Sequence, residues 1–226
     1  MSSLSNIKPI KLWGNGGPNP PKVQILLEEL GIPHEVIGIN FADIKGPEYL
    51  KINPNGRIPA IHDPNTDLTL WESGAIIEYL IEKYDKEHKL SFPVGTAESY
   101  HAKQWLFFQV SGQGPYYGQA VWFTKFHKPE VPSAQERYYK EIKRVMGVLE
   151  GWLNGQKEIY GDKGDGPWLV GNKLSFADLS FVTWQKAAER LLTENYSEDE
   201  FPAVKEWLAK MTARPTLIKV FASLQH

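Results

Sequence analysis

The stretch Asn53-Pro-Asn-Gly-Arg-Ile-Pro-Ala-Ile-His62 is the part of the sequence around which the rest of the chain is arranged. It joins a turn cluster to a short β run, and the bond between Ile58 and Pro59 is of the kind that can adopt the cis form. Because proline has no N–H, strand pairing is interrupted here and the neighbouring backbone can stay open to a ligand. The stretch therefore predicts an open hydrogen-bonding edge on a β-sheet.

A second stretch, Leu70-Trp-Glu-Ser-Gly-Ala-Ile-Ile-Glu-Tyr-Leu80, follows after a short turn. Glu72 and Ser73 stand at the start of an apolar-periodic run, so a hydroxyl, a backbone N–H and the positive end of a helix dipole meet there. Such a place favours a carboxylate. A ligand with an extended peptide backbone and a free α-carboxylate suits both stretches, and the smallest common one is glutathione.

The composition limits the functions that the protein can have. A chain of 226 residues with 42% hydrophobic residues can bury a large core, as one large domain or two small ones. The net charge is −2 and the basic residues are dispersed, so we expect neither a nucleic-acid nor a membrane partner. Cysteine is absent, so any thiol chemistry must use the sulfur of a ligand.

The N-terminal residues show no signal-peptide pattern, and no run approaches the roughly 20 apolar residues of a membrane span. We therefore expect a cytoplasmic protein. The six histidines have no ligand-like spacing and no cluster of partner carboxylates, so the sequence predicts no metal site.

The first part of the chain alternates strands with helices. Hydrophobic periodicity and turn signals predict strands at 10–13, 34–39, 59–62 and 67–71, and helices at 22–30, 46–52 and 72–84. The order βαβαββα, with a possible cis-proline before the third strand, is that of a thioredoxin-like domain. We place this α/β domain at residues 1–86 and a polar linker at 87–95.

After the linker, strand signals give way to long helical patterns. We predict helices at 97–126, with a bend near 112–115, at 133–153, from about 174, at 202–212, and after Pro215, with a glycine-rich loop at 158–168. Ser175 and Asp178 have the spacing of a capping box, in which each side chain bonds to the other residue's backbone N–H. Residues 96–226 are therefore predicted to form an all-α helical bundle.

Four motifs occur in order along the chain: Asn53-Pro-x-Gly-Arg-Ile-Pro, Trp71-Glu-Ser-Gly-Ala-Ile, Trp105-Leu-Phe-Phe-Gln, and Trp168-Leu-Val-Gly-x-x-Leu-Ser-x-Ala-Asp178. Together they resemble the cytosolic glutathione transferases over nearly the whole chain. More narrowly, Pro18-Asn-Pro-Pro-Lys-Val23, taken with the aromatic helix after Trp105, is similar to the fungal nitrogen-regulator-like class and its bacterial Nu-class relatives.

The resemblance implies roles for individual residues of the first domain. Asn19 matches the asparagine near the glutathione sulfur, which makes it the candidate catalytic residue. Ile58 matches the residue that pairs with the cysteinyl part of glutathione through its backbone, next to the structural Pro59. Glu72 and Ser73 match the pair that holds the γ-glutamyl end.

Other residues are candidates of a less specific kind. Arg57 and Lys45 align with positions that reach the polar ends of glutathione in related classes, although exposed basic residues are commonly just solvated surface. Of the aromatic residues that follow Trp105, most are expected to pack in the core. Phe108, Tyr116 and Trp122 are the candidates to face a pocket for an apolar co-substrate.

The resemblance implies that glutathione is a co-substrate and that no further cofactor is needed. The protein is expected to be a homodimer and to transfer glutathione to a small hydrophobic electrophile, a peroxide or a disulfide. Two alternatives stay open: a glutathione-dependent disulfide-bond oxidoreductase or peroxidase with little conjugating activity, and a non-catalytic regulator that keeps the fold.

Overall fold

A computed structural model describes residues 6–161 and 165–224 of the chain. Its strands are β1 (Ile10–Trp13), β2 (His34–Ile37), β3 (Ala60–Asp63) and β4 (Leu68–Trp71). Its helices are α1 (Asn19–Leu30), α2 (Pro47–Leu50), α3 (Ser73–Tyr84), α4 (Ala97–Phe108), α5 (Gly114–Val121), α6 (Pro132–Tyr160), α7 (Phe176–Leu191), α8 (Pro202–Thr212) and α9 (Pro215–Ser223).

The four strands form one mixed sheet in the order β2-β1-β3-β4. β1 pairs parallel with β2, while β3 pairs antiparallel with both β1 and β4. Leu12 and Ile61 face each other in the β1–β3 register, and both are fully buried. With α1, α2 and α3 in their predicted places in chain order, the thioredoxin-like arrangement is confirmed.

Helix α1 starts three residues earlier than predicted. Asn19 is its first residue, and the prolines that follow occupy the first turn, where their missing N–H groups cost no hydrogen bond. Gly31 ends the helix in the left-handed conformation (φ 67°), and its N–H donates to the carbonyl oxygens of Leu27 and Glu28. Val23, Leu26 and the rest of one face are buried in the core.

The predicted helix over 97–126 is present as a continuous helical run that is not α-helical throughout. Two π-helical turns, Gln109–Gln113 and Trp122–Phe126, follow α4 and α5 respectively. The first of these lies where Gly112 and Gly114 predicted a bend. A π turn carries one more residue than an α turn and shifts the side chains that follow it, which is why such turns are common at functional sites.

The chain divides into two compact units, and the division differs from the predicted domains. Unit 1 comprises Met1–Lys89 together with Arg214–His226, and unit 2 comprises Leu90–Ala213. The border at Lys89 lies inside the predicted linker, whereas residues 214–226, predicted to belong to the second domain, are grouped with unit 1. The last helix belongs to unit 1 because the guanidinium of Arg214 binds the buried carboxylate of Glu29 through two hydrogen bonds, of 2.7 and 2.8 Å.

Helix α6 is also longer than predicted. It extends to Tyr160 instead of ending at residue 153, so the first part of the predicted loop at 158–168 is helical. Gly151 and Gly155 do not end the helix, because both lie on open parts of the helix surface, where a glycine only lowers helix propensity. Part of that predicted loop, residues 162–164, lies outside the described residues.

Candidate functional site

The N-terminus of α3 carries Glu72 and Ser73, as predicted. Glu72 is the residue before the helix and has φ 70° and ψ 114°, a conformation that a non-glycine residue rarely adopts. Its side chain is exposed, while Ser73 is only 7% exposed. Backbone strain of this kind is found at ligand-binding positions and persists only where the surrounding structure holds it.

Lys22 of α1 reaches the same place from the other side. Its side chain is 1% exposed, and its Nζ donates a hydrogen bond of 3.1 Å to the Oγ of Ser73. Burial lowers the pKa of Lys22 to about 7, and the nearby negative charge of Glu72 acts in the opposite direction. A buried cation, a hydroxyl and a carboxylate therefore meet at the N-terminus of α3.

Asn19 lies on the first turn of α1, one turn before Lys22, and is half-buried. The loop that leads into this turn approaches Ile58 closely. A Cβ atom on Gly14 would lie 2.8 Å from the Cβ of Ile58 and 3.0 Å from the Cγ of Pro20. Gly14 thus brings the first turn of α1 into contact with the residue that precedes Pro59.

The Ile58–Pro59 peptide bond is cis, as the sequence allowed. Strand pairing in this region starts only at Ala60, which is opposite Trp13 of β1 and Trp71 of β4. Ile58 and Pro59 thus precede the paired part of β3. The structure places Ile58 beside α1 at the end of the sheet, where the sequence predicted an open edge.

Arg57 directly precedes Ile58, and Lys45 is the last residue of a 3₁₀ turn before α2; both are exposed. The carbonyl of Arg57 accepts hydrogen bonds from Tyr49 Oη (2.8 Å) and Asn53 Nδ2 (2.6 Å), so its backbone is fixed while its side chain points outward. Lys45 donates to the carbonyl of Asn55 at 2.8 Å. A role for these two basic residues in ligand binding stays a prediction.

Within unit 1, the Lys22–Ser73 hydrogen bond and the close approach of Gly14 to Ile58 and Pro20 link the elements that carry Asn19, Ile58, Glu72 and Ser73. An amino-acid end of a ligand has an ammonium and a carboxylate. The carboxylate of Glu72 can pair with the ammonium, while the hydroxyl of Ser73 and the N–H groups of the first turn of α3 can bind the carboxylate. The arrangement suits a small peptide that has a free amino-acid end.

The three candidates for a co-substrate pocket lie in unit 2, in separate ring clusters. Phe108 packs against the rings of Trp105 and Phe181, at centroid distances of 5.7 and 6.3 Å. Tyr116 contacts Tyr138 at 6.3 Å. Trp122 is 50% exposed and contacts Phe126 at 6.0 Å. These contacts do not assemble the three into one group, and their role stays a prediction.

The capping box predicted at Ser175 and Asp178 is present at the start of α7. Asp178 is fully buried and accepts hydrogen bonds from the N–H of Ser175 (2.9 Å), the N–H of Leu169 (2.8 Å) and the indole of Trp207 (3.0 Å). Burial raises the pKa of this carboxyl to about 6, against these hydrogen bonds, which lower it. Asp178 therefore provides the hydrogen-bond acceptor for three buried N–H groups in unit 2.

Among residues 6–161 and 165–224, no group of histidine, aspartate or glutamate side chains has a geometry that could hold a metal ion. None of the helices described there combines the length and the apolar character that crossing a membrane requires.

Sequence reasoning missed Lys22 and Gly14. Lysine is most often exposed, yet Lys22 stands on the apolar face of α1 with Ile25 and Leu26, one turn further on. A charged residue inside an apolar stripe is the signal that could have identified it. Gly14 follows β1 directly, and a glycine at such a position can mark a close approach of two backbones.

Known proteins are similar to this chain in both sequence and fold. Residues 8–82 match the family profile "Glutathione S-transferase, N-terminal domain", and residues 115–215 match "Glutathione S-transferase, C-terminal domain". The glutathione S-transferase-like protein gedE of Aspergillus terreus is 58% identical over 223 residues, which cover 98% of each chain.

Two further relatives define the class. The crystal structure of the glutathione transferase URE2P6 from Phanerochaete chrysosporium, in complex with oxidized glutathione, has a TM-score of 0.87 and 48% identity and covers 98% of both chains. The transcriptional regulator URE2 of Saccharomyces cerevisiae is 38% identical over 229 residues, which cover 89% of this chain and 64% of the regulator. The chain therefore belongs to the glutathione S-transferase family, within its Ure2-like class.

Proposed function

We propose that the protein is a glutathione transferase that binds glutathione in unit 1, stabilises its thiolate near Asn19 and transfers it to a small apolar electrophile. Glu72 and Ser73 hold the γ-glutamyl end, and the backbone of Ile58 pairs with the cysteinyl part. Arg57 and Lys45 act on the polar ends of the tripeptide. The protein itself has no thiol, so the reacting sulfur is that of glutathione.

One observation carries the proposal. The 3.1 Å hydrogen bond from Lys22 to Ser73 joins the helix whose first turn bears Asn19 to the N-terminus of α3, where Glu72 and Ser73 lie. The two ends of a short ligand, an amino-acid group and a sulfur, can thus be held by two adjacent helix N-termini. The bound oxidized glutathione in the URE2P6 structure, at 48% identity, supports the same ligand for this chain.

The pKa of the glutathione thiol must be lowered only moderately for the reaction. A free thiol has a pKa of about 8.5, so only a few per cent is thiolate at neutral pH. Lowering that pKa by about two units needs roughly 2.7 kcal/mol of preferential stabilisation of the charged form. A hydrogen bond from the Asn19 amide to the sulfur, together with the N-terminus of α1, can supply that amount. Correct orientation of the thiolate provides the rest of the rate enhancement.

A second activity, the reduction of disulfides or peroxides by glutathione, is favoured by one residue. Asn19 stands where a tyrosine or serine would offer a hydroxyl to the sulfur, and an amide is the weaker donor to a thiolate. Two prolines also remove N–H donors from the first turn of α1. Attack of a glutathione thiolate on the glutathionyl sulfur of a mixed disulfide between glutathione and another thiol forms oxidized glutathione and releases that thiol as its thiolate. This step needs less activation than conjugation, because a thiolate leaves readily.

Turnover with reduced glutathione and a panel of co-substrates tests the proposal. The panel consists of an aryl halide, an alkyl hydroperoxide and a mixed disulfide, and calorimetry measures glutathione binding in parallel. Turnover of the aryl halide supports the transferase, while turnover of the other two alone supports the reductase. Binding without any turnover points to a regulator, and no binding at millimolar glutathione overturns the proposal.

A further inference from the structure

Lys22 is an unusual residue to find inside a protein core. It is 1% exposed and lies between Asn19, one turn before it, and Ser73 at the start of α3. A buried charge is costly unless it is compensated, and lysines in such places lose their proton more easily than exposed ones. Lys22 therefore lies where burial makes its positive charge less favourable than on the surface.

We infer that Lys22 is a positioning residue of the proposed glutathione site: it orients the hydroxyl of Ser73 and takes up a proton when the γ-glutamyl carboxylate binds at α3. The inference rests on the proposed function, because it assigns the electrostatic partner of that ligand. It adds to that function a coupling between glutathione binding and pH.

The orientation follows from the hydrogen bond. Because the Nζ of Lys22 donates to the Oγ of Ser73, a lone pair of that oxygen is occupied and its own O–H is directed elsewhere. At the N-terminus of α3, an O–H that points away from Lys22 can donate to a carboxylate. Replacing Lys22 would leave Ser73 in place but remove the cause of its orientation.

The proton uptake follows from the charges around Lys22. The carboxylate of Glu72 acts on it from the start of α3, and on α1 itself the carboxylate of Glu29 is two turns away and already bound to Arg214. With a pKa of about 7, Lys22 is largely neutral in the free protein at pH 8. In the proposed pose the ligand carboxylate binds Ser73, whose Oγ is 3.1 Å from the Nζ of Lys22, while the ligand ammonium pairs with the exposed Glu72. The carboxylate is then the closer ligand charge and favours the protonated lysine, so binding removes a proton from the buffer.

Calorimetry with S-methylglutathione measures this uptake, because the methylated sulfur cannot release a proton and mask it. Binding is measured at pH 7.0 and pH 8.0, in phosphate and in Tris, whose ionisation enthalpies differ. The difference in observed enthalpy between the buffers gives the number of protons taken up. We expect net proton uptake by the native protein, larger at pH 8 than at pH 7, because a lysine with a lowered pKa is more often neutral at the higher pH before the ligand binds.

Two variants and a control isolate the contribution of Lys22. Lys22→Met removes both charge and donor, and Lys22→Gln keeps a neutral donor for Ser73. We expect at least a tenfold rise in the Kd for Lys22→Met, a smaller rise for Lys22→Gln, and loss of the proton uptake in both. Lys83→Met removes an exposed lysine from the last turn of α3, the helix that begins at Ser73, and should change neither the Kd nor the proton uptake.

Thermal unfolding separates this role from a structural one. Because burial disfavours the charge of Lys22, replacing it by an apolar side chain of similar size removes that cost, so Lys22→Met should keep or raise the Tm while it weakens binding. Proton uptake that is equal in Lys22→Met and in the native protein would overturn the inference, as would an unchanged Kd. If the native protein failed to bind S-methylglutathione at all, the proposed function itself would fail.

Discussion

Gly14 and Ile58 are in contact so close that a side chain on the glycine has no room: its Cβ would lie 2.8 Å from the Cβ of Ile58. Gly14 also has φ 108°, which disfavours any other residue. We predict that Gly14→Ala displaces Ile58 from the first turn of α1, lowers the Tm and raises the KM for glutathione at least tenfold. Steady-state kinetics with varied glutathione, together with thermal unfolding, check this.

Gly95→Ala is the matched control for that variant. Gly95 also has a positive φ, of 88°, but a Cβ there would meet nothing within 4 Å. Gly95→Ala therefore has the conformational cost of placing alanine at a positive φ, about 1 kcal/mol or somewhat more, but no steric clash. If both variants lost equal stability and kept the same KM, the close contact of Gly14 would have no part in the site.

The amide of Asn19 is proposed to donate to the glutathione sulfur. Asn19→Ala should raise the pKa of the bound thiol by about one unit, because one hydrogen bond to the charged form is lost. The activity at pH 6.5 then falls several-fold, while the activity at pH 9 changes little. The pH dependence of kcat/KM measures the shift, and Asn15→Ala, in the exposed part of the same loop, is the control. An identical pH profile in the two variants would remove Asn19 from the mechanism.

Glu72 combines a strained backbone with a proposed ligand contact. Glu72→Gly relieves the strain of φ 70° and removes the carboxylate, so it should raise the free energy of unfolding by about 1 kcal/mol while weakening glutathione binding. Glu72→Gln keeps the strain and should weaken binding alone. Urea unfolding and calorimetry give the two quantities. Tight binding in both variants would show that the carboxylate is not used.

Asp178 is predicted to act on stability and to leave the chemistry unchanged. Asp178→Ala leaves the buried N–H groups of Leu169 and Trp207 without an acceptor, and we expect a loss of about 3 kcal/mol or more in unfolding free energy. Thr96→Ala removes the exposed cap of α4 and should cost only about 1 kcal/mol. The KM for glutathione of the folded fraction stays as in the native protein.

The pair of Glu29 and Arg214 should make stability depend on pH. Burial raises the pKa of Glu29, but hydrogen bonds from Arg214 and Thr216 outweigh this and leave the pKa below its usual value. The carboxylate thus stabilises the fold above about pH 4.5, and the contribution disappears as the pH falls through the lowered pKa.

Glu29→Gln tests that contribution. We expect a loss of about 2 kcal/mol at pH 7, since Arg214 is partly exposed, and a smaller loss at pH 3. Urea unfolding at both pH values gives the difference. Glu136→Gln, which breaks an exposed pair with Lys140, should leave the free energy of unfolding nearly unchanged. A loss from Glu29→Gln that is the same at both pH values would contradict the argument.

Local sequence signals predicted most of the fold because they act over short distances. Alternation and turn residues located β1 to the residue, and Gly31 ended α1 where predicted. The capping box of Ser175 and Asp178 also needs only four consecutive residues. The same locality explains the misplaced end of α6, since Gly151 and Gly155 lower propensity but the packing of residues such as Leu153 maintains the helix.

The parts that the sequence did not predict depend on contacts between distant residues. Nothing near Arg214 in the sequence indicates that it binds Glu29, and this pairing is one of several contacts that join the last helix to unit 1, with Thr216 bonded to Glu29 and Lys219 to Glu28. Lys22 was missed for the same reason, because its hydroxyl partner lies 51 residues away. The positions of Ile58, Glu72 and Ser73 could be predicted from the two quoted stretches. The contacts that support these residues could not, because they join residues that are distant in the sequence.

Unit 1 is discontinuous in the chain, and this sets the order in which the protein can be completed. The segment from Arg214 that closes unit 1 is synthesised after all of unit 2. Until it arrives, the carboxylate of Glu29 lacks its guanidinium partner and the face of α1 that α9 covers is open to solvent. The part of the chain that is synthesised first thus completes its tertiary structure last. A fragment cut after Lys89 would lack the segment that completes unit 1.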